Sequence, residues 1–380
     1  MTPEYLYLHV PFCARRCSYC DFAVHAVREP PVDAWLDAVE AELARVAEHE
    51  GWSEPLRLRT VYVGGGTPSL LGPESMLALR RRLEPYAQWD CDVEWTVEAN
   101  PESFDETLAR AWREAGVNRL SLGAQTFDPG ALRWMGRLHG PDGPVRAAEA
   151  AVRAGIENWS IDLIFGLPAR LGRDWTADLE RALALGPTHV SLYGLTAEPA
   201  TPLGRWVREG RERLADEEAY EAEYLEAVER LGASGFVHYE VSNFALPGRE
   251  SLHNSAYWTG EAYLGLGSGA HSFLPPVRRW NLRDWNAYRT AVAEGESPVD
   301  AEEAIDDEAA RLERIWLGLR TRKGLSHRGW SRAQEDRVDD WVERGWAERT
   351  ADGVRLTAAG WLLLDRLAIE FEEAERAISA

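Results

Sequence analysis

Six times within the first two hundred residues, a short run of apolar, aromatic and β-branched side chains ends at a glycine, a proline or a polar cluster. The runs cover residues 5–10, 58–63, 93–97, 118–122, 158–165 and 188–192, each of strand length and strand composition. Between them lie amphipathic stretches. In 32–48 the apolar residues Trp35, Leu36, Val39, Leu43 and Val46 recur at helical spacing, and 73–86 and 105–114 continue the alternation. Strands that alternate with helices form a parallel sheet with the helices outside. The expected class is α/β, a partial (β/α)6 TIM-like barrel, with an open doubly wound sheet as the rival.

Either fold gathers its site at the C-terminal ends of the strands. Cys13, Cys17 and Cys20 follow the first run, Gly64-Gly65-Gly66-Thr67-Pro68 closes the second, and Glu98 and Gln125 close the third and fourth. These residues are expected to converge on one mouth.

Beyond residue 200 a helix is expected over 216–231 and a strand over 237–244, whereas 252–272 is less regular. The sequence changes character near Ser297. Amphipathic helices over 305–320 and 338–344, a hairpin over 346–356 turning at Asp352-Gly353, and a last helix from Thr357 suggest a winged-helix-like α+β unit. The expected domains are 1–296 and 297–380. Gly265-x-Gly267-x-x-Ala270 imitates a dinucleotide fingerprint, but Pro275-Pro276 follows where that motif requires a helix, so a loop lining the mouth is expected instead.

The formal charge is −21, and Lys323 is the only lysine. No basic face is available to neutralise phosphates, which argues against nucleic acid as a partner and against DNA reading by the winged-helix-like unit. No run approaches the ~18 apolar residues of a membrane span, and no basic-then-apolar leader opens the chain. A cytoplasmic protein, not integral to a membrane, is expected.

Three of the four cysteines fall within the eight residues Cys13-Ala-Arg-Arg-Cys17-Ser-Tyr-Cys20. The fourth, Cys91, stands alone between two aspartates and is taken as incidental. Three thiolates from one tight loop suit three corners of an iron-sulfur cluster, leaving one iron open to a small ligand. Structural zinc is the first alternative, although it wants a fourth ligand and His9 lies inside the strand. A thiol–disulfide pair on Cys17 and Cys20 is the second.

The run Tyr7-Leu-His9-Val-Pro11-Phe12-Cys13 through Cys20 resembles the signature of radical S-adenosylmethionine (SAM) proteins, in the coproporphyrinogen oxidase-like branch. The likeness continues through Gly64 to Pro68, Glu98, Ser121-Leu-Gly-Ala-Gln125, Ile161-Asp162-Leu-Ile-Phe-Gly166-Leu-Pro168 and Ser191-Leu-Tyr193. It implies a barrel of the radical SAM type and a [4Fe-4S] cluster on Cys13, Cys17 and Cys20. It further implies SAM chelating the open iron, in contact with Tyr7, Tyr19, Gly65, Gly66, Thr67, Glu98, Gln125, Arg137 and Asp162. An electron from the cluster would cleave SAM to methionine and a 5′-deoxyadenosyl radical. For any one acid taken alone, a salt bridge at a barrel rim is the plainer explanation.

Oxygen-independent coproporphyrinogen III oxidases carry a further cysteine two residues after the third, where this sequence has Phe22. They also carry a longer segment before the first strand, whereas this sequence opens a few residues before Tyr5. Both departures, with His253-Asn254-Ser255-Ala256-Tyr257-Trp258, resemble the related radical SAM heme chaperones. That resemblance implies heme as cargo, with His253, Tyr257 and Trp258 near it, a heme-accepting protein such as a membrane respiratory enzyme, and an electron donor. A histidine hydrogen-bonded within an aromatic core remains an alternative for His253. Two other functions stay open: oxidative decarboxylation of coproporphyrinogen III to protoporphyrinogen IX, and a non-catalytic interaction protein with a structural cluster.

Overall fold

The computed structural model describes residues 2–376. Its centre is six parallel strands in sequence order: β1 (Tyr5–Val10), β2 (Thr60–Gly65), β3 (Glu94–Ala99), β4 (Arg119–Gln125), β5 (Asn158–Phe165) and β6 (His189–Gly194). The helices α1 (Val32–His49), α2 (Ser75–Leu83), α3 (Glu106–Ala115), α4 (Gly143–Arg153), α5 (Trp175–Ala184) and α6 (Glu217–Ala233) lie along the chain between and after them. Three begin on an aspartate whose carboxylate accepts a backbone N–H of the first turn: Asp105, Asp174 and Asp216.

Alternation along each strand fixes the two faces. Leu6, Leu8, Val61, Val63, Val97, Leu120, Leu122, Ile161, Leu163, Val190 and Leu192 are buried in one core with Trp35 of α1, Trp112 of α3 and Trp175 of α5. The opposite face carries Tyr7, His9, Tyr62, Glu98, Ser121, Ser160, Asp162 and Ser191. Apolar side chains therefore face the helices, while the inside of the curved sheet is polar and leaves room for a ligand.

The barrel stays open, and both edges of the half-barrel are extended. Beyond β6 come β8 (Asn243–Ala245) and β7 (Val237–Glu240), both antiparallel. Beyond β1 lie the parallel β9 (Tyr263–Leu266) and then the antiparallel β10 (His271–Leu274), β11 (Val277–Asn281) and β12 (Val299–Ala304). The strand expected over 237–244 is thus two strands joined by a tight turn, where the Tyr224 hydroxyl donates to the Val241 carbonyl at 2.9 Å. The Gly265 stretch is strand β9 followed by a turn into β10, with no helix after it.

The irregular stretch after Ser251 is a helix, α7 (Leu252–Thr259). Its start is held by two carboxylate or hydroxyl acceptors. Ser251 accepts from the Asn254 N–H, and the buried Glu94 of β3 accepts from Leu252 and His253 at 3.2 and 3.1 Å. Only the first lies nearby in sequence. After α8 (Trp285–Ala293), the chain forms α9 (Asp307–Arg320), β13 (Leu325–Ser326), α10 (Arg332–Glu343), β14 (Ala347–Arg349), β15 (Gly353–Leu356) and α11 (Leu364–Arg376). The three strands order β13-β15-β14, a winged-helix-like arrangement with its own core around Leu319, Val338, Trp341, Val354, Leu367 and Phe371. Among the described residues, no helix is long and apolar enough to cross a membrane.

Candidate functional site

The cysteine loop leaves β1 at Pro11 and is tied to its surroundings by main chain. Phe12 and Cys13 pair with His25 and Ala26, the Ser18 N–H donates to the Met135 carbonyl, and the Leu203 N–H donates to the Ser18 carbonyl. The glycine turn after β2 docks beneath it. Gly66 N–H donates to the Val10 carbonyl at 2.7 Å and Thr67 N–H to the Phe12 carbonyl at 2.8 Å.

A Cβ on Gly66 would lie 2.6 Å from the Phe12 carbonyl oxygen, and one on Gly65, at φ +106°, would lie 2.4 Å from the His9 ring. One on Gly64 would meet the Glu98 carboxyl at 2.8 Å. The three glycines thus make room for the protein's own strand end, histidine and glutamate.

Cys13, Cys17 and Cys20 line a cavity of about 1020 Å³ at the C-terminal ends of the strands. Burial pushes the Cys13 thiol up to about 11, against the Thr67 hydroxyl that donates to its sulfur at 3.5 Å, and burial also raises Cys20. Thiols so placed bind protons unless a cation takes over, and iron is such a cation, since a coordinating thiol is deprotonated outright. Among the described residues no group of three or more histidine, cysteine, aspartate or glutamate side chains is gathered as a single metal ion would need. A four-iron cluster does not ask this of them, because each thiolate binds its own iron. The loop therefore fits a cluster better than zinc.

All nine residues that the resemblance associates with SAM line this cavity. Glu98 accepts from the Tyr62 hydroxyl at 2.8 Å and the Gly65 N–H at 2.9 Å, and burial, reinforced by nearby Asp162, pushes its carboxyl up to about 7. Asp162 accepts from Ser121 at 2.9 Å and Ser160 at 3.1 Å, and burial raises its carboxyl too. Arg137 donates to Asn100 at 2.8 Å and to the Gly123 carbonyl at 2.6 Å, and lies 3.9 Å from the Cys17 sulfur. Gln125 has φ 69°, the one positive value outside glycine among the described residues, at a bulge in the β4–β5 pairing. Backbone held there stores strain, as binding sites often do.

Tyr257 and Trp258 line the same cavity, but His253 does not. His253 is 1% exposed, stacks on Tyr62 at 5.1 Å, and has both ring nitrogens engaged, Nδ1 with Thr60 at 2.6 Å and Nε2 with Tyr257 at 2.8 Å. Burial holds its imidazole neutral, with a pKa near 3. His9 is also engaged at both nitrogens. Its Nε2–H donates to the Ala23 carbonyl at 2.9 Å, so Nδ1 accepts from Tyr7 at 3.0 Å. Cys91 is exposed.

Sequence reasoning gave no site role to Asn100, Tyr62, Arg283 and His271, and took Tyr193 only as part of the family likeness. Alternation on β2 points to Tyr62, but nothing local marks Asn100, which bridges Arg137 and the Thr67 hydroxyl.

Residues 7–182 match the Radical SAM superfamily, which defines the class of protein. The heme chaperone HemW of Mycobacterium tuberculosis (strain ATCC 25618 / H37Rv) is 36% identical over 366 residues, covering 96% of this chain and 93% of the relative. That of Bacillus subtilis (strain 168) is 35% identical over 367 residues, covering 94% and 96%. The solved structure of the coproporphyrinogen III oxidase HemN from Escherichia coli, a radical SAM enzyme, superposes with a TM-score of 0.81 at 22% identity, over 98% of this chain and 90% of that one. The chain belongs to the radical SAM proteins, in the family of the HemW heme chaperones.

Proposed function

We propose that the chain is a cytoplasmic heme chaperone that carries a [4Fe-4S] cluster on Cys13, Cys17 and Cys20, binds SAM and heme, and hands heme to an acceptor protein such as a membrane respiratory enzyme. One observation carries this. The three thiols, the glycine turn and the aromatic pair Tyr257 and Trp258 line one cavity, in a chain whose relatives of matching length are named heme chaperones.

The cavity, at about 1020 Å³, stands at the upper end of the ~300–1,000 Å³ usual for small-molecule sites and leaves space for more than one ligand. Tyr7, Tyr19, Gly65, Gly66, Thr67, Glu98, Gln125, Arg137 and Asp162 surround SAM. Bound on its three thiolates, the cluster supplies the electron for SAM cleavage, received from a separate donor. Glu98 is poised to ionise against the positive charge of SAM, and Arg137 adds positive charge beside the Cys17 thiolate. Tyr257 and Trp258 face heme, and His253 positions Tyr257 through its hydroxyl. In the proposed division into 1–296 and 297–380, the first unit supplies these ligands, while the second adds the sheet strand Val299–Ala304 and the cavity-lining Glu313, Trp316 and Leu317.

Anaerobically reconstituted protein should hold iron and sulfide at a four-iron stoichiometry and lose the cluster's paramagnetic signal in Cys17→Ala. With a reductant it should convert SAM to 5′-deoxyadenosine, which a purely structural cluster would not do. Incubated with coproporphyrinogen III it should release no protoporphyrinogen IX; steady release would replace the chaperone with a decarboxylating enzyme.

A further inference from the structure

Two histidines line the cavity, His9 and His271. His9 is spent on Tyr7 and Ala23, as described. His271, on β10, is solvent-exposed, stacks on Trp280 at 5.8 Å, and its ring takes part in no hydrogen bond. Among the described residues it is the one imidazole in the cavity with a free lone pair.

Its neighbours have a consistent character. Tyr263 on β9 pairs with Phe273 on β10, two residues from His271 on the same face of the sheet. Ring contacts run on from Tyr263 to Tyr257 at 4.6 Å and from Tyr257 to Trp258 at 6.3 Å, so an aromatic wall borders this half of the cavity. Next to Phe273 stands Arg278, whose guanidinium lies 5.3 Å over its ring and which pairs with Glu313. Arg283 reaches the Asp21 carbonyl and carboxylate of the cysteine loop and remains 60% exposed. Both arginines stand on this rim beside the acids that pair with them, Glu313 and Asp21. Gly265 leaves the sheet bare between Tyr7 and His271: it pairs with Tyr7, and a Cβ there would strike the His271 carbonyl oxygen at 2.0 Å.

A wall of aromatic faces, two rim arginines that can exchange a carboxylate partner for an anionic ligand group, and an unengaged imidazole together match one chemical class, a flat apolar macrocycle with an anionic edge and a metal at its centre. We propose that His271 is the iron ligand for heme, with the porphyrin against Tyr263, Phe273 and Trp258 and its propionates towards Arg278 and Arg283. This rests on the heme-chaperone function proposed above and assigns its ligand. His253 is excluded from direct ligation in this conformation, because both of its nitrogens are already bonded behind Tyr257. Arg278 and Arg283 also face His271 and, with its partial burial, favour the neutral ring that a metal requires.

The test titrates the full-length, cluster-reconstituted protein with hemin and with iron-free protoporphyrin IX, following the Soret band and the paramagnetic signal of the ferric ion. Wild type should bind hemin with the spectrum of an imidazole-ligated iron. His271→Ala should bind hemin at least ~10-fold more weakly with a changed ferric spectrum, recover that spectrum on addition of free imidazole, and bind protoporphyrin IX as wild type does. An unchanged hemin spectrum in His271→Ala overturns the assignment while leaving the heme-chaperone function standing. Equal loss of hemin and protoporphyrin IX overturns it too, since the residue would then serve packing and not iron. Failure of wild type to bind hemin removes both.

Discussion

Glu42 of α1 shows what burying a carboxylate among donors implies. It accepts from the Gly267 N–H at 2.8 Å, the Asn281 amide and the Tyr288 hydroxyl at 2.5 Å, and so pins the β9–β10 turn. That turn backs onto β1: a Cβ on Gly267 would lie 2.6 Å from the His9 carbonyl. Burial nevertheless pushes the Glu42 carboxyl up from the ordinary 4.5 to about 7. Between those values the folded protein binds a proton that the unfolded chain has released, so folding stability is greatest below the unfolded pKa and falls as pH rises through the folded one. Glu42→Gln should flatten this decline by on the order of 2–3 kcal/mol between about pH 5 and about pH 8 in urea unfolding, at some cost in stability at low pH. Glu98 titrates in the same window, so the variant keeps part of the slope. An identical slope in variant and wild type would show that Glu42 does not titrate there.

Among the elements, α7 depends most on its surroundings. It is eight residues long, too short to persist alone in water. Its first turn is completed by the Glu94 carboxylate from β3, so the helix exists where the barrel wall supplies an anion to its N–H groups. Through α7 that carboxylate also sets Tyr257 and Trp258 against the cavity. Glu94→Ala should lower stability by ~1–2 kcal/mol in chemical denaturation and speed amide exchange across 252–259, with Glu94→Gln milder because it keeps an acceptor. Exchange rates unchanged in that segment would mean the helix is held by packing alone.

At the scale of the molecule, the winged-helix-like unit meets the barrel through Arg320 of α9. Its guanidinium lies 2.9 Å from the buried Glu240 carboxylate of β7 and 4.0 Å over the Trp258 ring, which itself lines the cavity. Removing one partner of such a pair strands the other. Arg320→Ala should cost about 3 kcal/mol, seen as a lower Tm. Burial already raises the Glu240 carboxyl and Arg320 opposes that rise, so in the variant Glu240 keeps a proton to higher pH and the loss grows as pH increases. A loss independent of pH would place the effect in lost stacking on Trp258.

Much of the parallel core was legible because each strand's alternation and each helix's spacing are local properties of the chain. Residues 5–10 and 158–165 form strands over the expected bounds, and the expected 32–48 helix ends one residue later, at His49. The antiparallel extension from β10 to β12 was not legible. The acidic segment Val299–Ala304 carries no strand signal of its own and becomes a strand by pairing with β11. The same limit governed the site. Cysteine spacing alone suggested a three-thiolate loop, since that depends on eight consecutive residues. Which histidine reaches the cavity depends on which faces border the empty space. His253 and His271 are equally polar in sequence, but one packs behind Tyr257 with both nitrogens bonded, while the other stands on the open face beside Gly265. That distinction arises only when β9 and β10 add to the edge of β1, a pairing between segments more than two hundred and fifty residues apart.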